Sequence, residues 1–413
     1  LALIVDRQLK RRLIPSPGAF QSNSVESLAL SALIVKIRCM MHILHLADVH
    51  LGASYASFGP HAGERSEAVL RAFRLLPAVA REHQVHAVLV AGDLFDGPRP
   101  DERSAAEARE VVRQLLEVVP AVFLVPGNHD PLVIPGPYAD LPEAAHVFSA
   151  PDPRQPISVD TEAGPLHVYG FAYDFAHEPD PLAIFKRTDA EGVHVALLHG
   201  AVRDAPHWSG GDSLRLSRDE LGALGVDYIA LGDYHRFRPP TEFAADGSVP
   251  ACYSGSFAAL DHTETGPRGV VLAEVTPGST PVVRLIPSGV PPLQALPEVD
   301  VSTCSDDLEV VELVADLVDA GSLPVVTLSG QTEFAVDPER VEAGLAARFP
   351  FARVRDRTRH YDSDKLAELA TRDDVVGHLA RLGLDRIRAA SDDAEVGLRE
   401  RALRKALRAM GVT

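Results

Sequence analysis

Residues 121–130 read AVFLVPGNHD and show the pattern that decides the fold, a short apolar run that ends in a polar cluster. Four other segments repeat this pattern. In chain order, amphipathic stretches separate the runs at 42–48, 85–93 and 121–130. Short runs rich in Val, Ile and Leu that alternate with helical stretches are typical of a layered α/β domain. We therefore predict the α/β fold class. The other four segments are HILHLAD (42–48), VHAVLVAGD (85–93), VHVALLHG (193–200) and DYIALGDYH (227–235).

The polar residues that end these runs are expected to share one crevice, because open α/β sheets bind ligands at the carboxyl ends of their strands. Mixed Asp, His and Asn ligands without cysteine suit Mn²⁺, Fe²⁺ or Zn²⁺, and the groups outnumber what one ion needs. The pattern predicts two metal ions that act together on a phosphoryl group. The endings are Asp48-Val49-His50, Gly92-Asp93, Gly127-Asn128-His129-Asp130, His199-Gly200 and Gly232-Asp233-Tyr234-His235.

Composition and charge narrow the function classes. The 413 residues suggest two or three domains, and a net charge of −18 excludes a protein that coats nucleic acid by bulk charge. Acidic residues concentrate in 41–350, and this part of the chain would repel phosphates unless it binds cations. We therefore expect that it either does not bind phosphates or carries metal ions. The three cysteines form no CxxC pair, which predicts a reducing, cytoplasmic location. No segment approaches 18 apolar residues, so no membrane association is expected.

In this order, the five motifs resemble those of the calcineurin-like metallophosphoesterases. Within that superfamily, ADVHLG (47–52), GDLFDGPRP (92–100), VPGNHDP (125–131) and YSGSF (253–257) resemble the SbcD-type nuclease subunits of the SbcCD DNA repair complex. The resemblance covers about residues 42–275. It implies a four-layer metallophosphoesterase β-sandwich flanked by helices. It also implies a metal-dependent DNA phosphodiesterase, exonuclease or endonuclease, that acts in repair with an SbcC-type coiled-coil ATPase.

The resemblance also implies roles for individual residues. Asp93 would bridge two divalent ions, for which Mn²⁺ is expected and Fe²⁺, Zn²⁺ or Mg²⁺ are alternatives. His129 would stabilise the pentacoordinate phosphorus and protonate the leaving oxygen, with Asp130 beside it as an orienting group. The first ion would be held by Asp48, His50, Asp93 and His235, and the second by Asp93, Asn128, His199 and Asp233.

One residue departs from the family pattern. The usual last motif is GHxH, whereas this chain has Asp233 where a ligand histidine is expected. A carboxylate can replace an imidazole as a ligand, but it adds negative charge and is expected to alter metal preference or activity.

Three residues near the motifs are candidates for substrate contacts. Arg236 and Arg238 follow the last motif and would neutralise a DNA phosphate, with a solvated surface as the alternative. Asp96 is either a substrate-side group, a partner of a metal ligand, or an exposed acid at a helix start.

The chain is expected to divide into five parts. Residues 1–40 are interpreted as a dispensable extension, disordered or mis-assigned, before the metallophosphoesterase domain at 41–287. The proline-rich segment 288–298 is interpreted as a linker, and 299–360 as a small α/β capping domain. Residues 361–413 are expected to be C-terminal helices that bind the ATPase partner through the stripe Val396, Leu403, Leu407 and Met410, or that pack on the capping domain.

Two other functions stay open at this point. A phosphodiesterase or phosphatase for nucleotides or other small phosphoesters would use the same centre, but it would not need the small domain and the helical tail. A weakly active metal-bound scaffold in a repair complex would explain Asp233. A homodimer is a further alternative for the assembly.

Overall fold

The computed structural model describes residues 40–132, 136–149, 154–171, 181–202, 214–332, 334–359, 363–410 and 412. Apart from Met40, the predicted extension at 1–40 lies outside these residues.

The described chain follows the predicted alternation of strands and helices. Its first part contains β1 (Met41–Leu46), α1 (Ala62–Phe73), α2 (Leu76–Glu82), β2 (Ala87–Ala91), α3 (Glu102–Leu115), β3 (Ala121–Val125), β4 (His146–Val147), β5 (Ile157–Thr161), β6 (Gly164–Phe171), α4 (Pro181–Ile184) and β7 (Val193–Val202). The second part contains β8 (Leu214–Leu216), α5 (Arg218–Ala223), β9 (Tyr228–Gly232), β10 (Ala251–Tyr253), β11 (Gly269–Val275), β12 (Val282–Pro287), β13 (Leu293–Ala295), β14 (Val299–Asp300), α6 (Asp307–Ala315), β15 (Leu323–Ser329), α7 (Pro338–Ala346), β16 (Arg353–Asp356), α8 (Ser363–Ala370), α9 (Val375–Arg388) and α10 (Asp393–Ala409).

Two central sheets carry the predicted strands. The first has the order β12-β11-β1-β2-β3-β4, and the second has the order β10-β9-β7-β6-β5, with β8 paired to β7. Strands β1 to β4 pair in parallel, as do β6, β7, β9 and β10. The strands that precede the five motifs therefore point their carboxyl ends to the same side within each sheet.

The two sheets pack face to face with helices on both outer faces. Ile43, Leu89 and Phe123 of the first sheet meet Leu197 and Tyr228 of the second in one buried apolar layer. Helices α1 to α3 cover the outer face of the first sheet, and α5 covers that of the second. This arrangement confirms the predicted α/β fold, a four-layer β-sandwich flanked by helices.

A third sheet follows the sandwich, with β15 paired in parallel to β13, β14 and β16. Helices α6 and α7 cover it around buried Val310, Val341 and Leu345. Helix α7 begins with Asp337 as its N-cap and Pro338 in its first turn. The ring of Phe351 in this unit packs at a tilt against that of Phe58 in the sandwich, with 4.8 Å between the centroids.

The segment 288–298 differs from the predicted linker. Leu293–Ala295 form strand β13, and Leu293 is fully buried. The prolines Pro291 and Pro292 precede this strand and leave its backbone donors free to pair. Three residues are too few to show a strand period in the sequence.

Helices α8, α9 and α10 form a separate apolar cluster around Leu369, Ala380, Leu403 and Leu407. Helices α8 and α9 are separate, because Asp374 caps α9 by accepting a hydrogen bond from the N–H of Gly377. The N-cap of α10 is Asp392, whose side chain accepts a hydrogen bond from the N–H of Glu395.

Part of the apolar stripe predicted to bind a partner is therefore buried within this helical unit. Leu403 and Leu407 are buried against the neighbouring helices rather than against the predicted capping domain, whereas Met410 stays 41% exposed. Among the described residues of this unit, the large apolar side chains that remain exposed are Val375, Leu382, Leu398 and Met410.

Within the described ranges, no helix is both long and apolar enough to cross a membrane. Cys252 and Cys304 are free thiols, and Cys39 lies outside the described residues.

We predict that Leu403→Ala loosens the C-terminal helices without affecting the sandwich. Leu403 is 5% exposed and fills the space above Gly383, so its truncation should cost this unit about 2–4 kcal/mol. Hydrogen exchange of 363–410 should accelerate, while β1 to β3 keep their protection. Leu398→Ala on the same helix is the control, because Leu398 is 60% exposed. Equal acceleration in both variants would contradict the packing described here.

Candidate metal centre

The predicted metal ligands meet where the strand ends of the two central sheets face each other. Their donor atoms approach one another closely enough to share cations, and most of the side chains are buried. The first sheet contributes Asp48, His50, Asp93 and Asn128, and the second contributes His199, Asp233 and His235.

One group of candidate ligands consists of Asp48, His50 and His235, whose donor atoms lie within 4.8 Å of one another. Nε2 of His235 is 3.9 Å from Oδ1 of Asp48, and Nε2 of His50 is 3.6 Å from Oδ2 of Asp93. The buried Nε2 of His50 has no hydrogen-bond partner. An unpartnered imidazole nitrogen that faces a carboxylate is the environment a metal ion requires, so these residues fit a cation.

A second group consists of Asp48, Asp93 and His199. Nε2 of His199 lies 2.9 Å from Oδ1 of Asn128, 3.5 Å from Oδ2 of Asp93 and 3.7 Å from Oδ1 of Asp233. Oδ2 of Asp93 therefore faces the imidazoles of both groups. This is the placement that a carboxylate between two cations needs.

Each of the three imidazoles is held through its Nδ1 atom, which leaves Nε2 for the centre. Nδ1 of His50 is 3.0 Å from Oδ1 of Asp96, and Nδ1 of His199 is 2.8 Å from the carbonyl oxygen of Ala91. Nδ1 of His235 is 2.6 Å from Oε1 of Glu264. Oxygen partners of this kind fix the tautomer and the ring orientation of metal-binding histidines.

His129 lies at the open side of the centre, with a side chain that is 46% exposed. The ring of His129 packs edge-on against that of His50, with 4.7 Å between the centroids. The backbone N–H of His129 donates a hydrogen bond to Oδ1 of Asp93. Its Nδ1 is 3.4 Å from the carbonyl oxygen and 3.8 Å from Oδ1 of Asp96. His50, Asp93 and His129 also form a third group of close donor atoms.

Asp130 does not orient His129, which corrects the predicted catalytic role. Its buried carboxylate accepts hydrogen bonds from the N–H groups of Asp93, Phe95 and Gly127 and from the hydroxyl of Tyr138. The side chain thus braces the two loops that carry Asp93 and Asn128. Asp96 has the position next to His129 that the sequence assigned to Asp130.

The two predicted arginine contacts have different environments. Arg238 is 5% exposed, donates to the carbonyl oxygen of Glu242 and lies over the ring of Phe243 at 4.4 Å. It is therefore a packing residue rather than a DNA contact, because the chain turns its side chain away from solvent. Arg236 is exposed beside the centre. Asp96 is a partner of His50 and His129, not an isolated helix-start acid.

Charge in the centre is balanced by the histidines. Burial alone would lower the pKa of His199, but nearby carboxylates, Asp93 first, raise it to about 9. Burial also lowers the pKa of His235, but the hydrogen bond to Glu264 and the negative charge of Asp48 raise that pKa to about 9. Protons and cations compete for these nitrogens, so the affinity for a cation should increase as the pH rises towards 9.

The backbone is strained at the candidate ligands. Asp48, His50 and Asp93 have φ values of 50°, and Asp233 has a φ of 96°, in the left-handed region that side chains disfavour. Such strain persists where the surrounding structure holds a residue in place for function. Glycine at 127 is required by contact, since a Cβ there would overlap the carboxylate of Asp93.

Sequence reasoning missed Glu264 and Tyr138. Glu264 lies 29 residues beyond His235 in a loop without a motif, and Tyr138 lies eight residues beyond Asp130. Neither has a sequence signal of its own, because its contact arises only from the tertiary fold.

Comparison with known proteins agrees with this geometry. Residues 41–237 match the model of the calcineurin-like phosphoesterase family. The metallophosphoesterase YhaO of Bacillus subtilis is 28% identical over 243 residues, which are 57% of this chain and 57% of that protein.

Two similar proteins are named DNA double-strand break repair protein Mre11. The one from Aeropyrum pernix is 29% identical over 265 residues, 60% of this chain and 61% of that protein. The one from Halobacterium salinarum is 26% identical over 382 residues, 89% of this chain and 94% of that protein. The chain thus spans less than two thirds of the YhaO and Aeropyrum proteins. Residues 41–237, just under half of the chain, are thus similar to the calcineurin-like phosphoesterases.

Proposed function

We propose that this chain is a dinuclear metal-dependent DNA phosphodiesterase that acts in repair. One observation carries the proposal. Oδ2 of Asp93 faces Nε2 of both His50 and His199, at 3.6 and 3.5 Å, within two groups of close donor atoms. This arrangement supports a shared carboxylate between two cations, for which Mn²⁺ is our choice given the mixed Asp, His and Asn donors.

The residues divide between the ions as the family resemblance implies. Asp93 is common to both sets. A first ion would be held by Asp48, His50, Asp93 and His235, and a second by Asp93, Asn128, His199 and Asp233. When bound, such a pair of cations polarises phosphoryl oxygens and lowers the pKa of water.

The side chain of His129 then acts on the substrate. Its Nδ1 faces Asp96, which leaves Nε2 for a phosphoryl or leaving oxygen on the exposed side of the centre. In this position it can stabilise charge at phosphorus and donate a proton to the leaving oxygen. Arg236, which is exposed and follows His235 in the sequence, would pair with a neighbouring phosphate.

The choice of DNA is supported by the relatives named as DNA double-strand break repair proteins and by the parts beyond the sandwich. We propose that the third-sheet unit is a capping domain and that α8, α9 and α10 bind an SbcC-type coiled-coil ATPase. Since Leu403 and Leu407 are buried, the exposed Val375 and Leu382, one heptad apart on α9, are the better contact residues.

The test of this function is a Mn²⁺ titration of hydrolysis with linear duplex, single-stranded and hairpin DNA, beside bis-p-nitrophenyl phosphate. Mn²⁺-dependent DNA cleavage is expected. Hydrolysis of the small diester alone would favour a phosphodiesterase for small substrates, and ion binding without turnover would favour a scaffold.

We predict that His129→Ala binds both ions but loses about 10²–10⁴-fold in kcat, because His129 acts on the transition state. Asp93→Ala should instead bind fewer ions, which calorimetric titration with Mn²⁺ measures. The third donor group makes ligation by His129 the competing role. A His129→Ala protein with fewer ions per chain would establish that competing role.

We predict that Asp233→His keeps two Mn²⁺ ions per chain and retains hydrolysis, because the side chain faces His199 and the family uses histidine here. Asp233→Ala should weaken one of the two binding steps. Metal analysis and calorimetry measure both effects. Unchanged affinity in Asp233→Ala would show that the carboxylate is no ligand.

We predict that the double substitution Val375→Asp and Leu382→Asp abolishes co-purification with the ATPase and leaves hydrolysis of the small diester unchanged. Both side chains are exposed, at 71% and 45%, so the helices should stay folded. Leu308→Asp is the control, because Leu308 is 71% exposed on α6. Intact co-purification of the double variant would reject this surface.

A further inference from the structure

Glu264 reaches the metal centre from outside the five motifs. Its Oε1 lies 2.6 Å from Nδ1 of His235, and its side chain is only 17% exposed. His235 in turn directs Nε2 towards Asp48, at 3.9 Å from Oδ1. The carboxylate of Glu264 therefore contacts a candidate ligand on the side away from the cations.

The other oxygen of Glu264 is held by its own loop. Oε2 accepts hydrogen bonds from the N–H of Leu260 at 3.0 Å and from Oγ of Ser256 at 3.3 Å. Arg268 donates to the same Oγ at 3.3 Å. With Oε2 fixed by donors, Oε1 keeps one position and one partner, His235.

This loop is anchored to helix α1. The buried guanidinium of Arg65 donates to the carbonyl oxygen of Ala259 at 3.2 and 3.4 Å and to that of Pro291 at 2.7 Å. It also lies over the ring of Phe58, 5.0 Å from the centroid. The support of His235 thus extends from the loop into the core of the sandwich.

His235 needs this support more than the other two histidines. The side chains of His50 and His199 are 1% and 0% exposed, whereas that of His235 is 29% exposed. Packing alone therefore holds the first two rings more firmly than it holds His235. An exposed imidazole keeps more rotamer freedom unless a hydrogen bond restricts it.

We propose that Glu264 is a positioning residue of the metal centre. It fixes the Nδ1–H tautomer and the ring orientation of His235 and, as an anion, increases the basicity of the imidazole as a ligand. The inference rests on the proposed dinuclear function. Loss of such an outer partner weakens metal binding by about 10–100-fold in other sites.

Glu264→Gln is the sharpest substitution. A glutamine oxygen can still accept from Nδ1 of His235, but its amide nitrogen then faces the N–H of Leu260, a donor against a donor. Calorimetric titration with Mn²⁺ should show one binding step weakened about 10–100-fold and the other unchanged. Because this clash lies within the loop, the melting temperature without added metal should fall by only about a few degrees. Glu298→Gln is the matched control, because Glu298 is exposed.

A double-mutant cycle separates positioning from a general structural role. In a His235→Ala background, Glu264→Gln should cause no further loss of Mn²⁺ affinity, because its effect passes through His235. An additive loss, or equal weakening of both steps with a lower melting temperature, would overturn the inference. Wild-type affinity in Glu264→Gln would overturn it and leave the proposed function intact. A wild-type protein that binds no pair of ions would overturn both.

Discussion

The close approach of the two central sheets at their strand ends is the constraint on which the metal centre depends. Nδ1 of His199, on the second sheet, lies 2.8 Å from the carbonyl oxygen of Ala91 on the first. A Cβ at Gly92 or Gly232 would overlap this contact. If the sheets stood further apart, Asp93 and His199 could not share a centre, and each sheet would carry only half of the donor atoms.

The sequence predicted the fold class and the meeting of the seven candidate ligands well, for a physical reason. Strand periodicity and the residue that follows a strand are local properties, and parallel strands bring their carboxyl ends together whatever the rest of the chain does. The direction of a side chain is not local. Asp130 turns towards backbone donors and Arg238 towards Phe243, so the roles predicted from their neighbours in sequence were wrong.

The same distinction explains what sequence reasoning missed. Glu264 and Arg65 belong to the surroundings of the centre through contacts that span 29 and 194 residues, and neither stands in a motif. Strand β13 is too short to show a period, and the break between α8 and α9 depends on one cap at Asp374. Each of these features depends on where the residue lies in the folded structure and not on the type of residue.

The negative charge of the chain is also concentrated locally, at the candidate metal centre. The carboxylates of Asp48, Asp93 and Asp233 converge at the centre. Without cations, protons on His199 and His235 offset part of this negative charge, and bound cations would replace those protons and present positive charge to a phosphate. The charge distribution therefore makes substrate affinity and cation loading one coupled property, and both should fall together when the cations are removed.

The fixed Nδ1 atoms of the three histidines have a consequence for stability. Only the folded chain presents His50, His199 and His235 with Nε2 directed to one point, so a cation binds the native state in preference to the unfolded chain. Mass action then turns affinity into folding free energy. At a free concentration one hundred times the dissociation constant, one site adds about 2.7 kcal/mol. The free cation concentration around the chain would therefore help to set its free energy of unfolding.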